Sequence, residues 1–232
     1  MKGNGFDEFL EDYDPAEYER PKRESVLDPR RIGIFTASKM HELLSNGRGK
    51  DTMGKTAFSY IYQKASEALT GIPMPDVWSP AIQWGRDYEL PAIAETEKRL
   101  GVKFEKTGDQ QELFLSENGI FGGTPDGVCS HAYMGVEAHC PNSINHLRYR
   151  RCDTAEKLKH ENPQKYWQIQ CLLHLTEYIS WYFVSYDPRI LREDFRLHIL
   201  RIDPNLEDIA AMLERIAAAD EIKRRIIETG II

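Results

Sequence analysis

Asp126 and Glu137 stand eleven residues apart in GGTPDGVCSHAYMGVEAHCP, residues 122 to 141, and His139 follows the glutamate by two. Two carboxylates at this spacing suit a hard divalent cation. Oxygen ligands hold Mg2+, and the cation then offsets charge on a phosphate and lowers the pKa of an attacking water. If Asp126 ends one strand and Glu137 lies on its neighbour, a turn around residues 129 to 134 brings both to one edge. Alternate side chains share a strand face, so Glu137 and His139 point the same way and Ala138 offers its carbonyl. Carboxylates are also common at strand ends that bind nothing, and the pair by itself leaves both readings open.

The elements that must carry these residues are legible in outline. RRIGIFTASKMHELL predicts a short strand or turn delivering a helix, with Thr36 or Ser38 as its cap. TAFSYIYQKASEALTG predicts a second, amphipathic helix closed by Gly71, and AIQWGRDYELPAIAETEKRLG a third that Pro91 should perturb. VKFEKTG, QELFLSENG, GIFGGTPDGVC and GVEAHC read as strands, the last two as a hairpin-like meander. A helix over NPQKYWQIQCLLHLT, the strands YISWYFVSYD and FRLHILRI, and a closing helix from about Pro204 to Ile227 complete the chain. Helices, then a strand cluster, then mixed elements imply an α/β domain with a central mixed sheet.

The remaining features bound the function. The 232 residues fit one domain with an extension. Residues 1–29 form an acidic arm, expected to be mobile or to dock, and residues 30–232 the domain proper. Nine acidic against five basic residues in the first thirty account for much of the formal charge of −7, so the body is only mildly acidic and a local basic groove is not excluded. No apolar run approaches a membrane span and the N-terminus lacks the order of a signal peptide, so a cytoplasmic protein is expected. Four irregularly spaced cysteines suggest reduced thiols, and Cys129, His131, His139 and Cys140 lack the paired spacing of a zinc site. RYRR at 148 to 151 and the following KLKH read as a solvated helix face, with Tyr149 able to track a DNA strand.

Pro-Asp, ten residues, then Glu-x-His also has the spacing of the PD-(D/E)xK nuclease signature with its last basic residue exchanged. RIGIFTAS, WGRDYE, TPDGVC, VEAHCP, QIQ and WYFVSYDPR occur in this order and together resemble the phage lambda exonuclease family, the YqaJ-type viral recombinases. The resemblance covers roughly residues 30 to 225. It implies a single restriction-endonuclease-like domain that degrades linear double-stranded DNA from the 5′ end with Mg2+, for which Mn2+ can substitute. A homotrimeric ring and a single-strand annealing protein as partner are implied with it, in the cytoplasm of a bacterial host.

Carried over by position, Asp126, Glu137 and the Ala138 carbonyl resemble the metal ligands, Glu89 the helix glutamate near a second ion, and Gln168 the active-site glutamine. Gln170, the second glutamine of QIQ, leaves two readings open, a place in the same site or an outward-facing position. Arg31, Ser38 and Thr124 match a pocket for a 5′-phosphate, where a guanidinium and two hydroxyls suit a dianion. Arg48 and Lys50 sit on a Gly-rich loop suited to DNA. Ile82 resembles a wedge that parts the terminal base pair, with a core position as the other reading. His139 stands where the family has lysine and departs from the pattern. The expectation is an intact cation site with slow cleavage, and the alternative is an impaired DNA-end-binding or scaffold protein of the same fold.

Overall fold

The computed structural model describes residues 28–49, 52–75 and 79–230. The acidic arm, apart from its last two residues, and Lys50 lie outside the described residues. The first described element is a 3-10 turn, Pro29–Arg31, which is capped by the Asp28 side chain accepting from the Arg30 N–H. Strand β1 (Phe35–Thr36), a 3-10 turn (Ala37–Lys39) and the short helix α1 (Met40–Leu43) follow. Thr36 and Ser38 do not cap this helix. The Thr36 hydroxyl instead meets the buried Tyr60 hydroxyl at 3.1 Å, which also accepts from the Thr36 N–H.

Helix α2 (Lys55–Thr70) ends as its sequence demands, with Gly71 at φ 68° and its N–H on the Glu67 carbonyl. Helix α3 (Pro80–Leu100) starts at Ser79, whose hydroxyl accepts from the Ile82 N–H, and runs without a break through Pro91. Buried Ala92 and Ile93 explain this: packing on the sheet holds the helix where one backbone bond is lost.

Among the described residues the strands form two sheets rather than one. β2 (Phe114–Leu115) and β3 (Phe121–Gly123) join β1 in the order β1-β3-β2. β4 (Gly127–Cys129), β5 (Met134–His139), β6 (Ser180–Tyr186) and β7 (Leu197–Ile202) form the second, mixed sheet in that order. Thr124, Pro125 and Asp126 interrupt what reads as a single strand, and the motif therefore sits where the chain passes between sheets. VKFEKTG contributes only the bridge of Glu105 to Val128. Gly123 is required there, because a Cβ would lie 2.7 Å from both Ala37 and Leu172 side chains.

β6 alternates as a strand buried on both faces does. Trp181 and Phe183 join the larger core, with Tyr60, Leu172 and Met212, while Val184 joins the smaller one under α3, with Ala92, Ile93 and Val136. Two short helices follow β5, α4 (Ser143–Tyr149) and α5 (Ala155–Glu161), and then α6 (Pro163–Thr176) and the closing α7 (Leu206–Thr229) cover the larger core. Tyr149 is buried, with its hydroxyl accepting from Asn162 Nδ2, so it is a core residue and not a surface for DNA. Leu158 within KLKH is likewise buried, and only the charged positions of that stretch face outward.

Candidate active site

The antiparallel pairing of β4 with β5 matches Gly127 to Val136. One step further, that register sets Asp126 opposite Glu137, and the Ala138 N–H donates to Asp126 Oδ2 at 2.8 Å. Val136 belongs to the smaller core beneath α3, so Glu137 and His139 project from the other face, toward α6.

Helix α6 brings the other half of the site. Asn162 caps it, accepting from the Lys165 N–H at 3.1 Å, and Pro163 pre-sets its first turn. Lys165 and Gln168 are three residues apart and share a face. Lys165 Nζ and Gln168 Nε2 both donate to Glu137 Oε1, each at 2.6 Å, and Lys165 Nζ also reaches Gln168 Oε1 at 3.2 Å. Gln170 does not face outward. It is fully buried, donates to the Asp203 carbonyl and accepts from the Asn205 N–H, and so ties α6 to the start of α7.

The electrostatics are crowded. Burial, then the charges of Glu137 and Glu89, push the Asp126 carboxyl well above the usual aspartate range. Burial and Glu137 also raise Glu89, which is held by a bond from Gln111 Nε2 to its Oε1 at 2.7 Å. Burial works against the Lys165 ammonium, but Glu137, Asp126 and Glu89 outweigh it and hold the pKa above the ordinary lysine value. Glu137 Oε2 is buried with no hydrogen-bond partner among the described residues.

A hard cation fits this donor set, because the orphaned Oε2 and the Asp126 carboxylate are anionic oxygens that nothing else neutralises fully. Among the described residues, no three His, Cys, Asp or Glu side chains stand together as a ready metal cage. Glu89 contributes through charge more than through a shared ligand position.

His139 lies away from the carboxylates' hydrogen bonds. Its ring stands 5.5 Å from that of Tyr149 and 6.5 Å from that of Phe183, and burial with the Lys165 charge pushes its pKa down to about 3. Sequence reasoning missed Lys165, although its spacing of three from Gln168 was a signal for a shared face.

Arg31 and Thr124 do meet, with Nη1 3.2 Å from the threonine hydroxyl. Ser38 is 3.5 Å from Thr36 Oγ1 instead, on a turn packed against β3 and α6. Ile82 is exposed in the first turn of α3, which removes the core reading, and Arg48 is exposed beside Gly47 and Gly49. All four cysteines are buried and free.

Residues 27–179 match the model of the YqaJ-like viral recombinase domain. The chain belongs to that family. Its fold is similar to the alkaline exonuclease LHK-Exo of Laribacter hongkongensis, at a TM-score of 0.70 and 24% identity over 85% of this chain and 91% of that one. A structure of LHK-Exo in complex with dAMP gives the same score and identity over 86% and 92%. A phage-related exonuclease from Haemophilus somnus 129PT matches at 0.67 and 17% identity over 84% of this chain and 95% of that one. Among curated proteins none matches. The YqaJ-like domain thus has the fold of phage-type exonucleases, and among its described residues no helix is long and apolar enough to cross a membrane.

Proposed function

We propose that this YqaJ-like protein is a divalent-metal-dependent exonuclease that degrades linear double-stranded DNA from the 5′ end during phage-type recombination. The observation that supports it most is the apposition of Asp126 and Glu137 on paired strands, with Glu137 Oε2 buried and unpartnered beside Lys165 and Gln168. Asp126, Glu137 and the Ala138 carbonyl would hold Mg2+ or Mn2+, with Glu89 adding negative charge. When bound, the ion supplies Lewis acidity toward the scissile phosphate and an acidified water.

This chain's residues supply the rest. Gln168 fixes the rotamer of Glu137 through the 2.6 Å bond, and the Ala138 N–H fixes Asp126. The two carboxylates are thereby pre-aimed, and the cost of ordering them is met during folding rather than at each turnover. Arg31 and Thr124 grip a terminal 5′-phosphate, and Ile82 and Arg48 face the duplex. The working form is a homotrimeric ring acting beside a single-strand annealing protein in a bacterial cytoplasm, since in a ring only the inner wall need be basic on an acidic protein.

The test is release of 5′ mononucleotides from a linear duplex bearing a 5′-phosphate, with Mg2+ or Mn2+. Release from linear but not from covalently closed DNA supports the reading. DNA-end binding without release would favour an end-binding scaffold, the reading that His139 in the lysine position suggests.

A further inference from the structure

We propose that Lys165, on helix α6, replaces the lysine that the strand lacks at position 139, so that the site is rearranged rather than damaged. This inference rests on the nuclease reading and goes beyond it by assigning a catalytic residue outside the strand motif.

Geometry carries it. The ammonium of Lys165 lies 2.6 Å from Glu137 Oε1, on the face of β5 from which a side chain at 139 also projects. The His139 ring is instead packed near Tyr149 and Phe183, with no hydrogen bond to a described residue. The Lys165 side chain is 16% exposed against 2% for Glu137, so the lysine is the less enclosed partner of the pair.

Its place in the helix is costly. Lys165 is the third residue of α6, where the helix dipole favours an anion and disfavours a cation. A lysine kept only to solubilise α6 would gain more in the last turn. Here the Asn162 cap fixes the backbone at Lys165 itself, and Asn162 also donates to Tyr149, the ring that packs on His139. One residue therefore sets the register of the cation and supports the ring filling the space beside the strand position.

The chemical role follows from a fixed positive charge beside the attacking water and the phosphate. In hydrolysis a water oxygen forms a bond to phosphorus, the bond from phosphorus to the 3′ oxygen breaks, and its electron pair leaves on that oxygen. The water's proton passes to solvent, from which the leaving oxygen takes one, so that atoms and charge balance. Lys165 remains an ammonium throughout, orienting the water and stabilising negative charge on the phosphate as it develops. Histidine at 139 is then free to serve packing.

The experiment compares the full chain with Lys165→Met and Lys165→Arg, measuring three quantities. These are the single-turnover rate of mononucleotide release with Mg2+, the affinity for Ca2+ by calorimetry, and the affinity for a duplex end in Ca2+. Lys165→Met should lose at least about 100-fold in rate, with Ca2+ affinity unchanged or tighter and end binding within about threefold, while Lys165→Arg recovers at least about tenfold of the loss. The thermal midpoint of each variant checks that it is folded.

A Lys165→Met rate within about threefold of the parent overturns the inference, as does tenfold weaker Ca2+ binding, which would make the lysine a support for the carboxylates. A gain of tenfold or more in His139→Lys alone also overturns it, since the strand position would then have been the deficient one. An unaltered chain that releases no mononucleotide removes the nuclease reading and this inference together, whereas release by Lys165→Met at a rate within about threefold of an active parent removes this inference alone.

Discussion

Among the described residues, the lysine–glutamate pairs Lys64–Glu67 and Lys165–Glu137 each have a buried carboxylate, and they are built to opposite ends. In the first, Lys64 Nζ lies 2.8 Å from Glu67 Oε2, one helical turn along α2. The Gly33 N–H reaches the same oxygen at 3.1 Å, and Gln63 Nε2 and the Met74 N–H reach Oε1 at 3.1 and 3.4 Å. Both carboxylate oxygens are satisfied. Burial alone would raise the Glu67 pKa, yet Lys64, Gln63 and Gly33 together hold it below the usual glutamate value. Burial prevails at the other partner and pushes the Lys64 ammonium down. The geometry, with every charged atom partnered, argues for a pair that stabilises the fold.

In the second pair, among the described residues, Glu137 Oε1 takes two donors and Oε2 takes none, while Asp126 and Glu89 press like charge on the same space. One ammonium faces three carboxylates. The difference teaches that a buried ion pair is recognised as functional by what it leaves unsatisfied, since incomplete neutralisation costs stability that a ligand can return.

The largest expected effect breaks the second pair. Glu137→Gln should lower the single-turnover rate at least about 1,000-fold, about 4 kcal/mol of barrier, while its thermal midpoint stays level or rises. A large drop in the midpoint would instead make Glu137 structural and erase the contrast. Next, Glu67→Gln should cost about 3 kcal/mol in urea unfolding, because it strands a buried ammonium. Its cleavage rate should stay within about threefold of the parent, and a joint loss of rate and stability would couple the two regions.

A smaller gain is expected from Asp126→Asn. Relieving one of three crowded negative charges should stabilise the metal-free protein by about 1 kcal/mol in EDTA at pH 7. No gain would mean that Lys165 already balances the site.

The smallest effect concerns another fully partnered group, His146, whose ring nitrogens lie 2.8 Å from the Ser185 hydroxyl and the Phe195 carbonyl. Burial holds its pKa below the ordinary histidine value. The unfolded chain, with a histidine pKa of about 6.5, therefore takes up the proton first, so this group's contribution is present above that pH and is lost as pH falls below it. The thermal midpoint should decline from pH 7 to pH 5, and less steeply in His146→Gln. Equal slopes would assign the acid sensitivity elsewhere, with His139 and His198, both also lowered by burial, as the next candidates.

The sequence by itself determined what depends on neighbours a few residues away. Gly71 ends its helix because a glycine takes φ 68° without strain, and Asp126 and Glu137 meet because one tight connection joins β4 to β5. Alternation along β5 fixed which side chains share a face. Only the tertiary structure decided which partners filled that face. Pro125 and its neighbours split the expected sheet in two, and packing carried α3 through Pro91, since burial of Ala92 and Ile93 outweighs one lost backbone bond. Lys165 lies 28 residues from Glu137, and nothing local joins them. The docking of α6 on the sheet brings its ammonium to the carboxylate, while the same packing places the aromatic rings of Tyr149 and Phe183 around His139. A motif read along one strand reports the residues of that strand, and a charge delivered from a helix becomes visible only when the core has been assembled.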